Sequence, residues 1–149
     1  MRWAEGRTKK DDERSERMTH PRQAFGASSM NEPLQNILSL FESTVMRSPE
    51  DPAILEGDRS IDYAELSRKA RRLAHELRLS GAGPDRPVGL CLERSSELVV
   101  CVLGILQSGA GYCPIDPAYP LDRIALMLED ADPSVVITDR QHQHLFKGT

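Results

Sequence analysis

The stretch from Gly109 to Asp139, GAGYCPIDPAYPLDRIALMLEDADPSVVITD, constrains the fold of this 149-residue chain more than any other. Its short apolar segment Tyr112–Ile115 predicts a strand, and Pro120 stands where a helix can begin, because the first helical position needs no N–H. Apolar residues then recur at helical spacing until Pro133, and Val135–Thr138 predicts a second strand. The core face expected for this helix consists of Leu121, Ile124, Ala125 and Leu128.

The residues before Gly109 continue this alternation of helices and strands. We expect a helix from Leu34 to Val45, a hairpin of Ala53–Leu55 and Ser60–Ile61 around Gly57, a helix from Tyr63 to Leu77, a strand at Pro87–Leu92, and a buried helix that begins at Ser95 or Ser96 and includes Leu98–Leu106. The pair Gly81 and Gly83 ends the second helix, and the pair Gly109 and Gly111 ends the third. This order predicts an α/β fold in which a mostly parallel sheet is covered by helices.

The helix after the hairpin has an explicit start signal. Asp62 can accept hydrogen bonds from free helix amides, and Glu65 three residues later completes a capping box. Ile61 and Leu66 occupy the two positions of a hydrophobic staple. No aromatic residues interleave with the basic residues of this helix, so a solvated helix face is favoured over a phosphate or RNA site. These basic residues are Arg68, Lys69, Arg71, Arg72 and Arg78.

Residues 1–30 differ from the rest of the chain in composition. Seven Lys/Arg and five Asp/Glu alternate in this segment, and apolar residues are sparse. We therefore expect a disordered charged tail at 1–30, passive rather than partner-binding, and a folded part at 31–149. Translation could start at Met1, Met18 or Met30, because the first patterned segment begins at Met30.

The net charge of −4 gives no electrostatic reason to expect binding to nucleic acid or to an anionic membrane. The longest apolar run, Leu98–Leu106, is far shorter than the ~20 residues of a membrane span. The charged N-terminus contains no apolar segment of a secretory signal. Cys91, Cys101 and Cys113 lack CxxC spacing and lie among apolar residues, which predicts buried free thiols and a reducing, cytoplasmic location.

Residues with catalytic potential are few. Neither glycine pair has a third glycine three positions on, and both follow helices, so neither is a dinucleotide fingerprint. His142 and His144 could share a metal ion on one strand, but no other His or Cys lies nearby and we expect this segment to be frayed. Asp116 and Asp122 suit turn or capping roles better than catalysis, and His75 is expected on a helix surface.

Two segments of the chain resemble core motifs of one family. IDYAELSRKARRLAHELR, residues 61–78, is similar to the first core motif of the adenylation domains of nonribosomal peptide synthetases, usually Leu-Thr-Tyr-x-Glu-Leu, with Asp62 in place of Thr. LQSGAGYCPIDPAYPLDRI, residues 106–124, resembles the second motif, Leu-Lys-Ala-Gly-x-Ala-Tyr-x-Pro-Leu-Asp. Gly109, Tyr112, Pro114 and Asp116 match that motif, whereas Gln107, Ser108, Gly111 and Ile115 depart from it. The continuation to Asp139 fits the peptide synthetase branch of the adenylate-forming ligases better than the fatty acyl-CoA branch.

The resemblance implies the N-terminal subdomain of the adenylate-forming ligase fold. It also implies an ATP-dependent ligase that uses Mg²⁺, forms an aminoacyl-adenylate and passes the acyl group to the phosphopantetheine thiol of a peptidyl carrier domain. The family's phosphate loop, ribose-binding acid and catalytic Lys are expected beyond Thr149. The chain is therefore expected to be a truncated fragment, inactive alone, whose partner is the remainder of a synthetase. We assign it no catalytic, cofactor-binding or metal-binding residue.

Two alternatives come from other classes of protein. The chain could be a noncatalytic docking module that associates with a synthetase. It could also be a small stand-alone nucleotide-binding α/β domain, although no strand is followed by a Gly-rich turn. A partial sheet leaves edges unpaired and apolar helix faces uncovered, so we expect a marginally stable chain that associates readily.

Overall fold

The structure, a computed structural model, describes residues 36–146. The charged tail expected at 1–30 lies outside the described residues, as does the predicted start of the first helix at Leu34. No helix within residues 36–146 is long and apolar enough to cross a membrane.

Helices and strands alternate along the described chain, as predicted. The helices are α1 Ile37–Arg47, α2 Tyr63–Leu79, α3 Ser96–Ser108 and α4 Leu121–Ala131. The strands are β1 Pro52–Glu56, β2 Arg59–Asp62, β3 Val88–Cys91, β4 Tyr112–Pro114 and β5 Val135–Thr138. A 3-10 helix, Gln143–Phe146, follows β5 where the sequence predicts a frayed segment, so that prediction is wrong for these four residues, and residues 147–149 lie outside the described part of the chain.

Strands β3, β4 and β5 form a parallel sheet in the order β4-β3-β5. Val88 of β3 pairs with Tyr112 of β4 on one side and with Val135 of β5 on the other. Strands β1 and β2 form a separate antiparallel hairpin, and Gly57 in its turn has a φ of +58°. The predicted α/β architecture with a parallel sheet is confirmed.

Helices cover both faces of the parallel sheet. Side chains alternate between the two faces of a strand, so Val88 and Leu90 point to one face and Cys91 points to the other. Around Cys91, the second face packs against Ile115, Ile124 of α4 and the 3-10 helix. The first face packs against α2 and α3 in a core of Leu77, Ala82, Val88, Leu90, Cys101, Ile105 and Ala110.

Helices α2 and α3 approach each other closely at Gly104. A β-carbon at this position would lie 2.9 Å from Leu73 Cδ2 and 3.1 Å from the carbonyl oxygen of Ala70. On the outer side of this helix pair, Leu66, Ala70 and Leu103 form a second core, which α1 and the hairpin cover. The hairpin and α1 therefore pack on helices and not on the parallel sheet.

Helix α2 begins as the sequence predicts, with one difference. The Asp62 carboxylate accepts a hydrogen bond from the Glu65 N–H at 2.7 Å, and the staple residues Ile61 and Leu66 belong to one apolar cluster. The Glu65 carboxylate, however, lies 2.8 Å from Lys69 Nζ. The predicted capping box is therefore only half formed, because an ion pair one turn further along the helix engages the Glu65 side chain.

Helix α2 ends in a Schellman motif at Gly81, whose φ is +90°. The Gly81 N–H donates to the Arg78 carbonyl at 3.1 Å, and the Ala82 N–H donates to the Leu77 carbonyl at 3.0 Å. Gly109 ends α3 in the same left-handed conformation, also with a φ of +90°. The second glycine of each pair does not adopt a positive φ, so only the first of each pair terminates its helix as predicted.

Helix α4 buries a narrower face than the sequence predicts. Ile124 is buried and Leu128 is half-buried, but Leu121 and Ala125 are exposed, so the prediction is wrong for these two residues. The described chain offers α4 only one side of a three-stranded sheet and the 3-10 helix to pack against. The rest of its apolar face therefore remains in contact with solvent.

Candidate functional site

The carboxyl ends of β3 and β5 lie where the topology of the sheet reverses. From β3 the chain crosses through α3 to β4 on one side, and from β4 it crosses through α4 to β5 on the other side. Ligands of open parallel sheets bind beyond the carboxyl ends of the strands at such a reversal. Cys91 and Thr138, which pair in register, end the two strands here, and Asp139 follows.

The Cys91 thiol at this edge is fully buried and is not an activated nucleophile. Burial raises its pKa above the ordinary value, the Thr138 hydroxyl beside it acts in the opposite direction, and the carboxylates of Asp139 and Asp116 raise the pKa further. The Thr138 hydroxyl is also buried. It lies beside the Cys91 sulfur, but within residues 36–146 it makes no contact that meets hydrogen-bond geometry. Nucleophilic cysteines need a lowered pKa, so this edge does not supply one.

Asp139, directly after β5, caps the 3-10 helix. Its Oδ1 accepts a hydrogen bond from the backbone N–H of His142 at 2.8 Å, and His142 Nδ1 lies 2.9 Å and 3.0 Å from the two carboxylate oxygens. The backbone hydrogen bond from His142 is the main contact that lowers the pKa of Asp139. Because His142 is buried, the pair fixes the chain after β5 and positions Leu145 and Phe146 against the core around Cys91.

The Nδ1 atoms of the two histidines have different partners. His142 Nδ1 contacts Asp139, whereas His144 Nδ1 lies 2.8 Å from the carbonyl oxygen of Gln141. His142 lies in a turn and His144 lies in the 3-10 helix, so the two residues are not on the strand where the sequence hypothesis placed them. In the described part of the chain, no group of three or more His, Cys, Asp or Glu side chains could hold a metal ion.

The two aspartates and the remaining histidine occupy structural positions. Asp116 Oδ1 accepts a hydrogen bond from the Ala118 N–H at 2.9 Å and so stabilises a turn. Asp122 is exposed in the first turn of α4, and His75 is exposed on α2. The turn role of Asp116 and the helix-surface position of His75 are as predicted, whereas Pro120 and not Asp122 occupies the N-cap of α4.

The basic residues of α2 form a solvated face, as predicted. Lys69 and Arg72 lie 2.8 Å and 3.3 Å from the carboxylates of Glu65 and Glu76. Arg78 donates to the carbonyl oxygen of Gln107 at 2.9 Å, which links α2 to the end of α3. The five basic side chains, Arg68, Lys69, Arg71, Arg72 and Arg78, are all exposed.

The start of α3, the helix that follows β3, is the place where a parallel sheet would hold a phosphate. Here the Glu56 carboxylate accepts hydrogen bonds from the Ser96 hydroxyl at 2.7 Å and from the Ser96 N–H at 3.2 Å. Ser95 Oγ accepts a hydrogen bond from the Leu98 N–H at 3.3 Å. A phosphate would have to displace Glu56 and would meet its negative charge. The residues at this position therefore do not fit the triphosphate of ATP.

Comparison with known proteins relates the chain to peptide synthetases. Residues 41–148 match the profile of the family described as AMP-binding enzyme. The chain is 44% identical over 118 residues to the AMB antimetabolite synthetase AmbB of Pseudomonas aeruginosa. This alignment covers 78% of this chain and 9% of AmbB. It is also 46% identical over 100 residues to bacitracin synthase 1 of Bacillus licheniformis. That alignment covers 67% of this chain and 2% of the synthase.

A solved structure agrees with these sequence relationships. The nonribosomal peptide synthetase FmoA3 matches the fold with a TM-score of 0.69 at 33% identity, over 76% of this chain and 12% of FmoA3. The chain thus spans only a small part of the length of the relatives that it matches. The family match, the relatives and this structure confirm the resemblance of the two sequence motifs: the chain belongs to the AMP-binding enzyme family and forms part of an adenylation domain of the nonribosomal peptide synthetase type.

Proposed function

We propose that the chain is the N-terminal part of a domain that activates an amino acid for nonribosomal peptide synthesis. The observation that carries the proposal is the family match over residues 41–148, together with relatives that are peptide synthetases. In this proposal residues 31–149 belong to the domain and residues 1–30 are a charged tail. The free cysteines of the described chain support a cytoplasmic location.

The reaction proposed for the whole domain joins an amino acid to AMP. A carboxylate oxygen attacks the α-phosphorus of ATP held with Mg²⁺, the bond to the bridging oxygen breaks, and pyrophosphate leaves. The phosphopantetheine thiol of a carrier domain then loses its proton and attacks the acyl carbon, and AMP leaves as the thioester forms. ATP, Mg²⁺ and a peptidyl carrier domain are therefore the cofactors and the partner proposed for the longer protein.

The contribution proposed for this chain is architectural. The Glu56 carboxylate occupies the N-terminal end of α3 through its hydrogen bond from Ser96. Burial raises the pKa of the Cys91 thiol above its ordinary value. Asp116 and Asp139 accept backbone N–H hydrogen bonds that stabilise local turns, and the His142 imidazole that contacts Asp139 is itself buried. We propose that the chain supplies no catalytic, cofactor-binding or metal-binding residue and that it forms no adenylate alone.

A chimera tests the proposal. The segment of AmbB that aligns with this chain is replaced by residues 31–149, and amino-acid-dependent ATP–pyrophosphate exchange is measured for the chimera and for the isolated chain. We expect exchange above the amino-acid-free background from the chimera and none from the isolated chain. A chimera that folds but does not catalyse exchange would contradict the proposal, as would exchange by the isolated chain.

The chimera and the isolated chain also separate the two alternatives. A docking module would fold alone and co-purify with a synthetase protein, but its sequence would not restore exchange in the chimera. A stand-alone nucleotide-binding domain would retain a nonhydrolysable ATP analogue at millimolar concentration in equilibrium dialysis, without the rest of AmbB.

A further inference from the structure

The solvent-facing side of α2 concentrates positive charge on an otherwise acidic chain. Helix α2 carries five basic and two acidic residues, whereas the rest of residues 31–149 carries seven basic and sixteen acidic residues. Six exposed residues recur every three or four positions along α2 and therefore share one side of the helix. This set, the α2 basic stripe, consists of Arg68, Arg71, Arg72, His75, Arg78 and Leu79.

The stripe lies on the side of α2 opposite the buried Leu66. With 3.6 residues per turn, its members fall within an arc of about 120° and extend about 16 Å along the helix. Helix α2 has no carboxylate inside this arc. Glu65 and Glu76 lie at one border of it, where they pair with Lys69 and Arg72. The stripe is thus a continuous positive surface and not an alternation of charges.

The stripe has free hydrogen-bond donors and one apolar contact point. In the described part of the chain, neither Arg68 nor Arg71 forms a salt bridge or a side-chain hydrogen bond. A guanidinium presents its N–H groups in a planar fork that fits a carboxylate, so these two residues are able to bind carboxylates from outside the chain. Leu79, at the end of the stripe, is 76% exposed.

We propose that the α2 basic stripe binds an acidic helix of a partner protein. Carboxylates three or four positions apart on such a helix repeat at the spacing of the arginines on α2, and each pair forms a charge-assisted hydrogen bond. An apolar side chain near one end of the partner helix covers Leu79. The inference goes beyond the proposed function and does not depend on it, because it uses only exposed residues of α2.

Other anionic partners fit the stripe less well. Single-stranded nucleic acids stack their bases on aromatic side chains, and the stripe contains none. The phosphates of a DNA duplex or of an anionic membrane would extend past the stripe to Glu65, Glu76 and the acidic remainder of the chain. A second copy docked symmetrically through this surface would place one basic stripe against the other.

Binding of the full 149-residue chain to synthetic peptides tests the inference. The probe is a labelled helical peptide with glutamates along one face and a leucine near its end, and its counterpart has glutamine in place of each glutamate. Fluorescence anisotropy at low ionic strength should show saturable binding of the glutamate peptide and none of the glutamine peptide. Added salt should weaken the binding, because salt screens exposed charges.

Paired variants locate the binding surface. Arg68→Glu/Arg71→Glu should weaken binding roughly tenfold or more, because two attractive contacts become repulsive. Arg94→Glu/Arg140→Glu makes the same charge change at two exposed arginines outside α2 and should bind as the wild type does. Arg68→Lys/Arg71→Lys keeps the charge but not the planar fork and should bind with intermediate affinity.

Urea unfolding separates binding from folding. The two glutamate variants should unfold at the urea concentration of the wild type, because all four side chains are exposed. If Arg68→Glu/Arg71→Glu is less stable, Leu79→Ser decides, with Leu55→Ser, at a leucine of β1 that is 75% exposed, as its control. Leu79→Ser should lower the affinity roughly fivefold, as expected for partial burial of a leucine. Equal affinities of these two leucine variants would then overturn the inference.

The other outcomes also decide. Equal binding by the folded Arg68→Glu/Arg71→Glu and Arg94→Glu/Arg140→Glu variants overturns the inference, as does equal binding of the two peptides. A chain that binds a short DNA duplex or phosphatidylserine vesicles but not the glutamate peptide overturns the choice of partner. A chain that sediments as a dimer, and that Arg68→Glu/Arg71→Glu converts to a monomer, assigns the stripe to a second copy and overturns that choice as well.

The AmbB chimera shows whether the stripe acts outside the catalytic domain. Arg68→Glu/Arg71→Glu in the chimera should leave the exchange rate unchanged. A folded variant that loses exchange would place the stripe inside the domain and overturn the inference. An unmodified chimera that folds without exchange contradicts only the proposed function, because peptide binding is measured on the chain itself.

Discussion

Glu56 of β1 and Ser96 at the start of α3 are joined by two hydrogen bonds across 40 residues of sequence. The Glu56 carboxylate accepts a hydrogen bond from the Ser96 hydroxyl at 2.7 Å and another from the Ser96 N–H at 3.2 Å. It therefore satisfies one of the free N–H groups of the first helical turn. The Ser96 hydroxyl, followed by the Ser96 N–H, lowers the pKa of Glu56. The hairpin is thus fastened to α3 by a carboxylate whose ionised form these hydrogen bonds favour.

This link predicts a loss of stability in acid. Because the folded-state pKa of Glu56 is below its ordinary value of 4.5, its contribution to the free energy of unfolding is present above that pH and is lost as the pH falls through the folded-state pKa. Glu56→Gln should be less stable than the wild type at pH 7, and the difference should shrink toward pH 3. Urea unfolding at both pH values measures it.

Glu50→Gln, at an exposed position before β1, is the matched control for this change. It should follow the wild type at both pH values. If the wild type and Glu56→Gln lost stability in parallel as the pH fell, the Glu56–Ser96 link would not be the source of the acid sensitivity.

Gly104→Ala should separate α2 from α3. The added β-carbon would lie 2.9 Å from Leu73 Cδ2 and 3.1 Å from a backbone carbonyl that cannot move aside. We expect the free energy of unfolding to fall by about 1–2 kcal/mol, even after the ~1 kcal/mol gain in helix propensity. Gly111→Ala has no atom within 4 Å and should be almost neutral. Urea titrations that show equal stability for the two variants would argue against the close helix contact.

Asp62→Ala should lower the stability by about 1 kcal/mol, because it removes the acceptor of the Glu65 N–H at the start of α2. Asp62→Thr, which restores the residue usual in the family motif, should retain most of the stability because a threonine hydroxyl also caps a helix. Thermal unfolding of the three proteins measures the difference. A threonine variant as unstable as the alanine variant would show that helix capping does not explain the contribution of Asp62 to stability.

The three cysteines should differ in reactivity. Burial raises the pKa of Cys101 to about 11 and also raises the pKa of Cys91, so neither holds much thiolate at pH 8. Cys113 is only half-buried and is therefore expected to react first with iodoacetamide. A time course followed by peptide mass spectrometry gives the three rates, and labelling in urea provides the reference. Modification of Cys101 at the rate of Cys113 would contradict this order.

Local signals in the sequence predict local structure well. The cap at Asp62 and the helix ends at Gly81 and Gly109 depend on residues within about one helical turn, so their residue types alone identify them. The exposed Leu121 and Ala125 show the limit of this reasoning. An apolar pattern gives the face of a helix that can be buried, but the number of strands packed against that face decides how much of it is buried.

The candidate site depends on contacts that no local pattern contains. The pairing of Cys91 with Thr138 follows from the strand order β4-β3-β5, which the sequence does not specify. The occupation of the α3 start by Glu56 likewise joins elements 40 residues apart. The two core motifs, in contrast, were sufficient to predict the family, because their capping and turn residues are adjacent in sequence.

The measurement that tests the central claim most directly is amino-acid-dependent ATP–pyrophosphate exchange by the isolated chain and by the AmbB chimera at equal concentration. The chain is expected to show none, because the Glu56 carboxylate occupies the start of α3, where a phosphate would bind, and the Cys91 thiol at the sheet edge is buried with a raised pKa. The chimera is expected to show exchange above background. Exchange by the chain alone, or a folded chimera without exchange, would contradict the assignment of this chain as a noncatalytic N-terminal part of an adenylation domain.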